Sequence, residues 1–175
     1  MVPFSLFLST GLYVFAFKAP NYAQALREKR DMVNQTVIDR KGRILRMEPD
    51  EHGEYLIWLT HDQIPQLMKN AVVAAEDKRF YQHYGFDPLA TVRAVYGYYS
   101  AGKIISGAST ISQQVVRMLH PRPRTVRSKI IEFFAAIKLE WQLSKEEILE
   151  LNLNLAPMGG YLKGVCGAAT TSYGL

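Results

Sequence analysis

The chain opens on an apolar run. Val2 to Phe17 carry no charge and include Phe4, Leu6, Phe7, Leu12, Val14 and Phe15; the first charge is Lys18. As a helix this run would rise about 24 Å at ~1.5 Å per residue, a little short of a hydrocarbon core of about 30 Å. Residues 1–18 therefore read as a membrane anchor cut short at its start, with a buried core helix as the alternative. Arg27, Lys29 and Arg30 follow the segment, and the positive-inside rule would put that side in the cytoplasm. Residues 19–54 read as a charged helical stalk from Ala23 to Met32, followed by a small β element. Its expected strands are Thr36 to Ile38 and Arg43 to Leu45 around the turn Asp39-Arg40-Lys41-Gly42, with Tyr55 to Leu59 as a third.

From there the pattern is helical. Ile64, Leu67, Met68, Ala71, Val72 and Ala75 predict one apolar face from His61 to Lys78. Asp87-Pro88 places an N-cap before Pro at the first helical position and predicts a helix to about Gly102. Ser109 or Thr110 caps a helix to about Leu119, and two prolines break the chain between His120 and Pro123. A long helix runs from Arg124 to Leu143. Ser144 and Glu147 form a capping box for another, ending near Asn154. The expected class is mainly α, with a minor β element near the N-terminus.

Composition narrows the chemistry only slightly. The 175 residues are 48% hydrophobic and 21% charged, a globular balance. The lone Cys166 excludes an intramolecular disulfide framework and a multi-cysteine metal site. A net charge of +5 favours anionic partners without choosing among them. Gly97 to Lys103 fits a phosphate-loop spacing, but Ile104 stands where a hydroxyl should hold magnesium, and the segment ends a helix instead of opening one.

Three segments could carry chemistry. Glu76 and Asp77 close an apolar helix, where lost hydration would favour the protonated acid and suit a general base; pairing with Lys78 or Arg79 is the plain alternative. His83 nearby suits a cap or a packing role equally well. Arg117, Arg122, Arg124, Arg127 and Lys129 form a run with no acid among them. Arginines suit phosphate through paired N–H bonds, although a solvated basic face has the same composition. Lys129 and Glu132 lie three apart, either as an ordinary ion pair or as two groups pointing into one cleft. Finally, Gly107-Ala108-Ser109-Thr110 before a helix leaves free N–H groups, and Gln113 and Gln114 could orient sugar hydroxyls or simply face solvent.

Taken in order, E-D-x-x-F-x-x-H-x-G (Glu76, Asp77, Phe80, His83, Gly85), G-x-S-T-I-x-Q-Q (Gly107 to Gln114), K-x-x-E (Lys129, Glu132) and Ser144 to Asn154 resemble the peptidoglycan glycosyltransferases of family 51. These are the transglycosylase domains of class A penicillin-binding proteins, and Leu155 to Gly160 is similar to the 1C branch. The resemblance implies a lysozyme-like helical domain at 55–175, C-terminally incomplete, on the outer face of a bacterial cytoplasmic membrane. It implies polymerisation of lipid II into glycan strands with inversion at the donor sugar. By the same resemblance, Glu76 is the base on the acceptor 4-hydroxyl, and Glu132 assists departure of the donor pyrophosphate, directly or through a divalent cation (magnesium or manganese). Arg117, Arg124 and Lys129 would hold the pyrophosphate. Asp77, Phe80, His83, Ser109, Thr110, Gln113 and Gln114 would line the substrate site. Implied partners are lipid II, the growing strand, the inner membrane and other cell-wall synthesis proteins, with no nucleic acid.

Departures from the family pattern are Ala108 for glycine, Ser112 for threonine, Ser128 for arginine and Asn152 for tyrosine. Two other readings use the same residues: a lysozyme-like peptidoglycan hydrolase with Glu76 as acid, and a non-catalytic membrane-anchored scaffold. A hydrolase has no pyrophosphate to hold, and a scaffold has no use for two carboxylates beside a cationic groove.

Overall fold

The computed structural model describes residues 20–31, 36–41, 44–47, 55–101, 109–159 and 162–166. The expected membrane anchor at 1–18 lies outside the described residues. No helix among the described residues is long and apolar enough to cross a membrane.

Helix α1 (Tyr22–Asp31) is not a free stalk. Its Tyr22 and Leu26 are fully buried, which no solvent-bridging helix requires. Tyr22 N–H donates to Gln142 at 2.7 Å, and Arg30 forks onto Glu150 at 2.7 and 2.9 Å. The composition looked charged because only two positions of this short helix face inward. Strands β1 (Thr36–Ile38) and β2 (Ile44–Met47) pair antiparallel, with an irregularity between Val37 and Ile38. Strand β3 is only Tyr55–Leu56 and pairs in parallel with β4 (Leu162–Lys163) near the end of the chain. It stops before Leu59 because a side chain replaces the strand partner there. The Asn154 amide accepts from Leu59 N–H at 2.8 Å and donates to Leu59 C=O at 2.7 Å.

The helix expected from His61 to Lys78 is split at Pro65. A 3₁₀ turn (His61–Gln63) precedes α2 (Gln66–Glu76). The apolar face expected on α2 is largely solvent-facing: Leu67 is 82% exposed, while Ile64, ahead of the break, is buried. Lys69 is the buried position of α2, its ammonium donating to the His61 carbonyl at 3.1 Å. Helix α3 (Pro88–Ala101) starts where Asp87 accepts from Ala90 N–H at 2.9 Å.

The core is built by α4 (Ile111–Leu119), α5 (Val126–Gln142) and α6 (Lys145–Leu155). Thr110, Thr125 and Ser144 each cap one of them by accepting the N–H three residues on, as residues of that type do. Helix α4 packs on both α5 and α6. Ile111, Val115 and Val116 meet Ala135, Ala136 and Leu139 from α5, and Ile148, Leu149, Leu151 and Leu153 from α6. Every residue of α6 from Ile148 to Leu155 is buried, so this helix is the central one. Its Glu150 would be costly there without partners. Arg30, the Trp58 indole at 2.8 Å and His61 N–H at 2.9 Å supply them. The architecture is mainly helical, as expected.

Candidate active site

Helix α2 delivers Glu76 to the edge of an open cleft of about 1080 Å³. Glu76, Asp77, Arg79, Arg93, Tyr96, Ser109, Thr110 and Gln114 are among its lining residues. Glu76 is exposed, so the desolvation expected from its place after an apolar helix does not occur: α2 turns that face to water. Its Oε2 accepts from the Gln114 side-chain amide at 2.8 Å. Asp77 borders the same cleft but is buried. It accepts from His83 Nε2 at 2.9 Å and from Ile111 N–H at 3.1 Å, tying the end of α2 to the start of α4. With Nε2 facing a carboxylate, the imidazole is assigned the Nε2–H tautomer.

Between these two acids and α3 the backbone makes one demand that only glycine meets. Gly85 has φ +79°, and a Cβ there would lie 2.7 Å from the carbonyl of Ala136. Its own carbonyl accepts from the Thr110 hydroxyl at 2.8 Å. Arg79 and Asp87 close the same segment through an ion pair.

The second acid lies on α5. Glu132 is 7% exposed and sits between two cations. Arg117 donates to both of its oxygens, at 3.1 and 3.2 Å, and Lys129 donates at 3.0 Å. Burial pushes its carboxyl pKa upward. The hydrogen bonds and charges of Arg117 and Lys129 outweigh that and leave it below the ordinary glutamate value. Lys129 also donates to Ser109 at 2.9 Å, which brings this cation to the cleft lining.

Of the residues singled out from sequence, Glu76, Ser109, Gln114, Arg117, Lys129 and Glu132 are thus linked through α4 and its N-terminal approach. Asp77, Phe80, His83, Thr110 and Gln113 are buried. Thr110 caps α4, Asp77 braces its first N–H, and Phe80 packs edge-on against His83. Arg124 is exposed and joins none of these contacts. Sequence reasoning missed Arg79, Arg93 and Tyr96 as lining residues. Arg79 lay within the first motif but read as a partner for the acids beside it, and nothing in the chain pairs α3 with that motif.

A divalent cation held by protein alone does not suit Glu132. Hard cations collect several oxygens, whereas both oxygens of this carboxylate already face cationic donors. Among the described residues no group of three or more His, Cys, Asp or Glu is placed to hold a metal.

This helical domain presents one acid to an open cleft and holds a second between two cations. The transglycosylase family model matches residues 41–175, and the chain belongs to that family. Over 139 residues it is 38% identical to penicillin-binding protein 1C of Escherichia coli (strain K12), a match covering 79% of this chain and 18% of that protein. It is 41% identical over 139 residues to penicillin-binding protein 1A of Aquifex aeolicus (strain VF5), covering 79% of this chain and 19% of that one. Against penicillin-binding protein 1A of Escherichia coli (strain K12) the identity is 37% over 166 residues, 94% of this chain and 19% of the relative. The chain thus spans about a fifth of the length of these relatives.

Proposed function

We propose that this chain is a peptidoglycan glycosyltransferase that extends glycan strands from lipid II on the outer face of a bacterial cytoplasmic membrane. The observation that carries the reading is the contrast between its two acids. Glu76 presents an oxygen to an open cleft, while Glu132 is held by Arg117 and Lys129 beside it.

The chemistry follows from that contrast. An acceptor sugar hydroxyl is a weak nucleophile, and Glu76 takes its proton as it attacks the donor sugar. The donor leaves as a lipid pyrophosphate, so negative charge grows on a phosphate oxygen. Arg117 and Lys129 stabilise that charge more than the ground state because they are already positioned. To reach the phosphate they give up part of their bonding to Glu132, whose own charge then limits how tightly the product is retained. Gln114 orients Glu76, and Ser109 keeps Lys129 at the cleft. A lysozyme-like arrangement of helices fits this division between a cleft and its cationic wall.

A membrane-held substrate fits the surface. Leu89, Val92, Tyr96 and Tyr99 are 64, 66, 74 and 82% exposed and fall within one stripe of α3. Aromatic and aliphatic groups in such a stripe suit a lipid interface, with Tyr96 joining it to the cleft.

The test is polymerisation of lipid II by the purified chain in detergent or vesicles, with Glu76→Gln alongside. The parent should form glycan polymer and the variant should lose at least ~100-fold in rate. Parental speed in Glu76→Gln would remove the assigned base.

A further inference from the structure

The first motif and the start of α6 meet in a closed ring of polar contacts that borders the cleft only at Asp77. Lys145 Nζ lies 2.7 Å from Glu140 Oε2 and donates to the His83 carbonyl at 2.7 Å. It also stands 4.4 Å above the centroid of the Phe80 ring. The His83 ring donates to Asp77, and Asp77 accepts from Ile111 N–H. The residue after Ile111 is Ser112, whose hydroxyl donates back to Glu140. The path therefore returns to Lys145. The side chains of Glu140 and Lys145 are 2% and 17% exposed, and Ser112 is fully buried.

The ring spans the two segments on which the proposed chemistry depends. Glu76 immediately precedes Asp77 in the chain, and Gln114, which hydrogen-bonds Glu76, lies two residues beyond Ser112. The Lys145 ammonium contacts both oxygens of the Glu140 carboxylate and the His83 carbonyl while lying over the Phe80 ring, so it holds three groups in place at once. Serine at position 112 matters for the same reason: its hydroxyl supplies the bond that joins α4 to Glu140.

We propose that Lys145 is a positioning residue for the reaction, acting through His83 and Asp77 to set where Glu76 stands relative to Gln114. This rests on the reading of Glu76 as the base. Lys145 touches neither substrate nor cleft, so its loss should alter the rate of the chemical step and leave donor binding to Arg117 and Lys129 alone.

The experiment compares the full chain with Lys145→Met, Glu140→Gln and the double variant. It measures thermal stability, kcat and KM for lipid II, and the ¹⁵N resonances of the His83 ring. Lys145→Met strands a buried carboxylate and should lower stability. The double variant removes that unpaired charge and should recover most of it. If Lys145 positions the base, kcat in the double variant stays at least ~10-fold below the parent, with KM within about twofold, because a shift near 1 Å is costly to a reacting geometry. The His83 ring resonances should move in both variants that lack the lysine. Recovery of parental kcat together with stability would overturn the proposal and leave Lys145 as a folding residue, as would unmoved His83 resonances. Glu76→Gln in the same assay separates the two ideas. Parental activity there would defeat the base assignment, while the His83 shifts would still report the brace.

Discussion

Gln114 and Arg117 lie three residues apart on α4, and each hydrogen-bonds one of the two acids: Gln114 to Glu76, Arg117 to Glu132. Residues three apart are neighbours on one helical face. The separation between the proposed base and the proposed leaving-group site is therefore set by a single rigid turn.

That turn makes the cationic wall a coupled unit. Replacing Arg117 with Met should lower kcat/KM for lipid II about 10- to 100-fold, the worth of a charged hydrogen bond. Glu132→Gln should lower it as well. Combined, the two changes should cost clearly less than the product of the single effects, because each removes the other's partner. A double-mutant cycle on initial rates checks this.

Gly85 should tolerate no side chain. Gly85→Ala combines a left-handed backbone with a Cβ driven against the Ala136 peptide. A loss of at least about 2 kcal/mol is expected, read as a lower urea midpoint with an unchanged slope.

Acid should unfold the protein through a few carboxylates. Glu150 and Glu132 hold pKa values below the ordinary glutamate value, and Asp87 below that of aspartate. In each, burial works the other way and is outweighed; at Glu150 by bonds from Arg30, Trp58 and His61 N–H. A carboxyl with a depressed folded pKa contributes stability that is complete above its unfolded value, near 4 for these groups. That stability is lost as pH falls through the folded value. Glu150→Gln should therefore lower stability at pH 7 by about 2 kcal/mol and flatten the decline below pH ~4, as measured by circular dichroism against pH.

The α3 stripe gives an optical test of the lipid-facing surface. Val92→Trp should show a blue-shifted emission component when phospholipid vesicles are added, quenched by brominated acyl chains. Trp58 and Trp141 supply the background signal in the parent. An emission spectrum indifferent to vesicles would place the stripe in water.

Helix limits set by local chemistry were legible in the sequence. Thr110, and Ser144 with Glu147, act within one turn of their own backbone, so their types and spacing suffice. Pro65 is equally local, but the apolar period runs across it and predicts a buried face that α2 does not have. The docking of α1 and the end of β3 were not legible. Both rest on partners far along the chain, Glu150 for Arg30 and Asn154 for Leu59, and no spacing rule links such positions. The site shows the same division. Its two acids and Lys129 sit in motifs, whereas the burial of the His83 ring against Asp77 depends on the fold and no spacing shows it. Lys145 read only as the first residue of a capped helix.

The fourfold engagement of Glu150 gives α1 a physical status that its charged sequence conceals. A helix pinned to the middle of α6 shares the global opening of the domain instead of fraying separately. Its amide protons should exchange with deuterium on the same slow timescale as those of Ile148 to Leu155. Any tension arriving from upstream of Tyr22 would then reach the interior of the domain before it could peel the helix away.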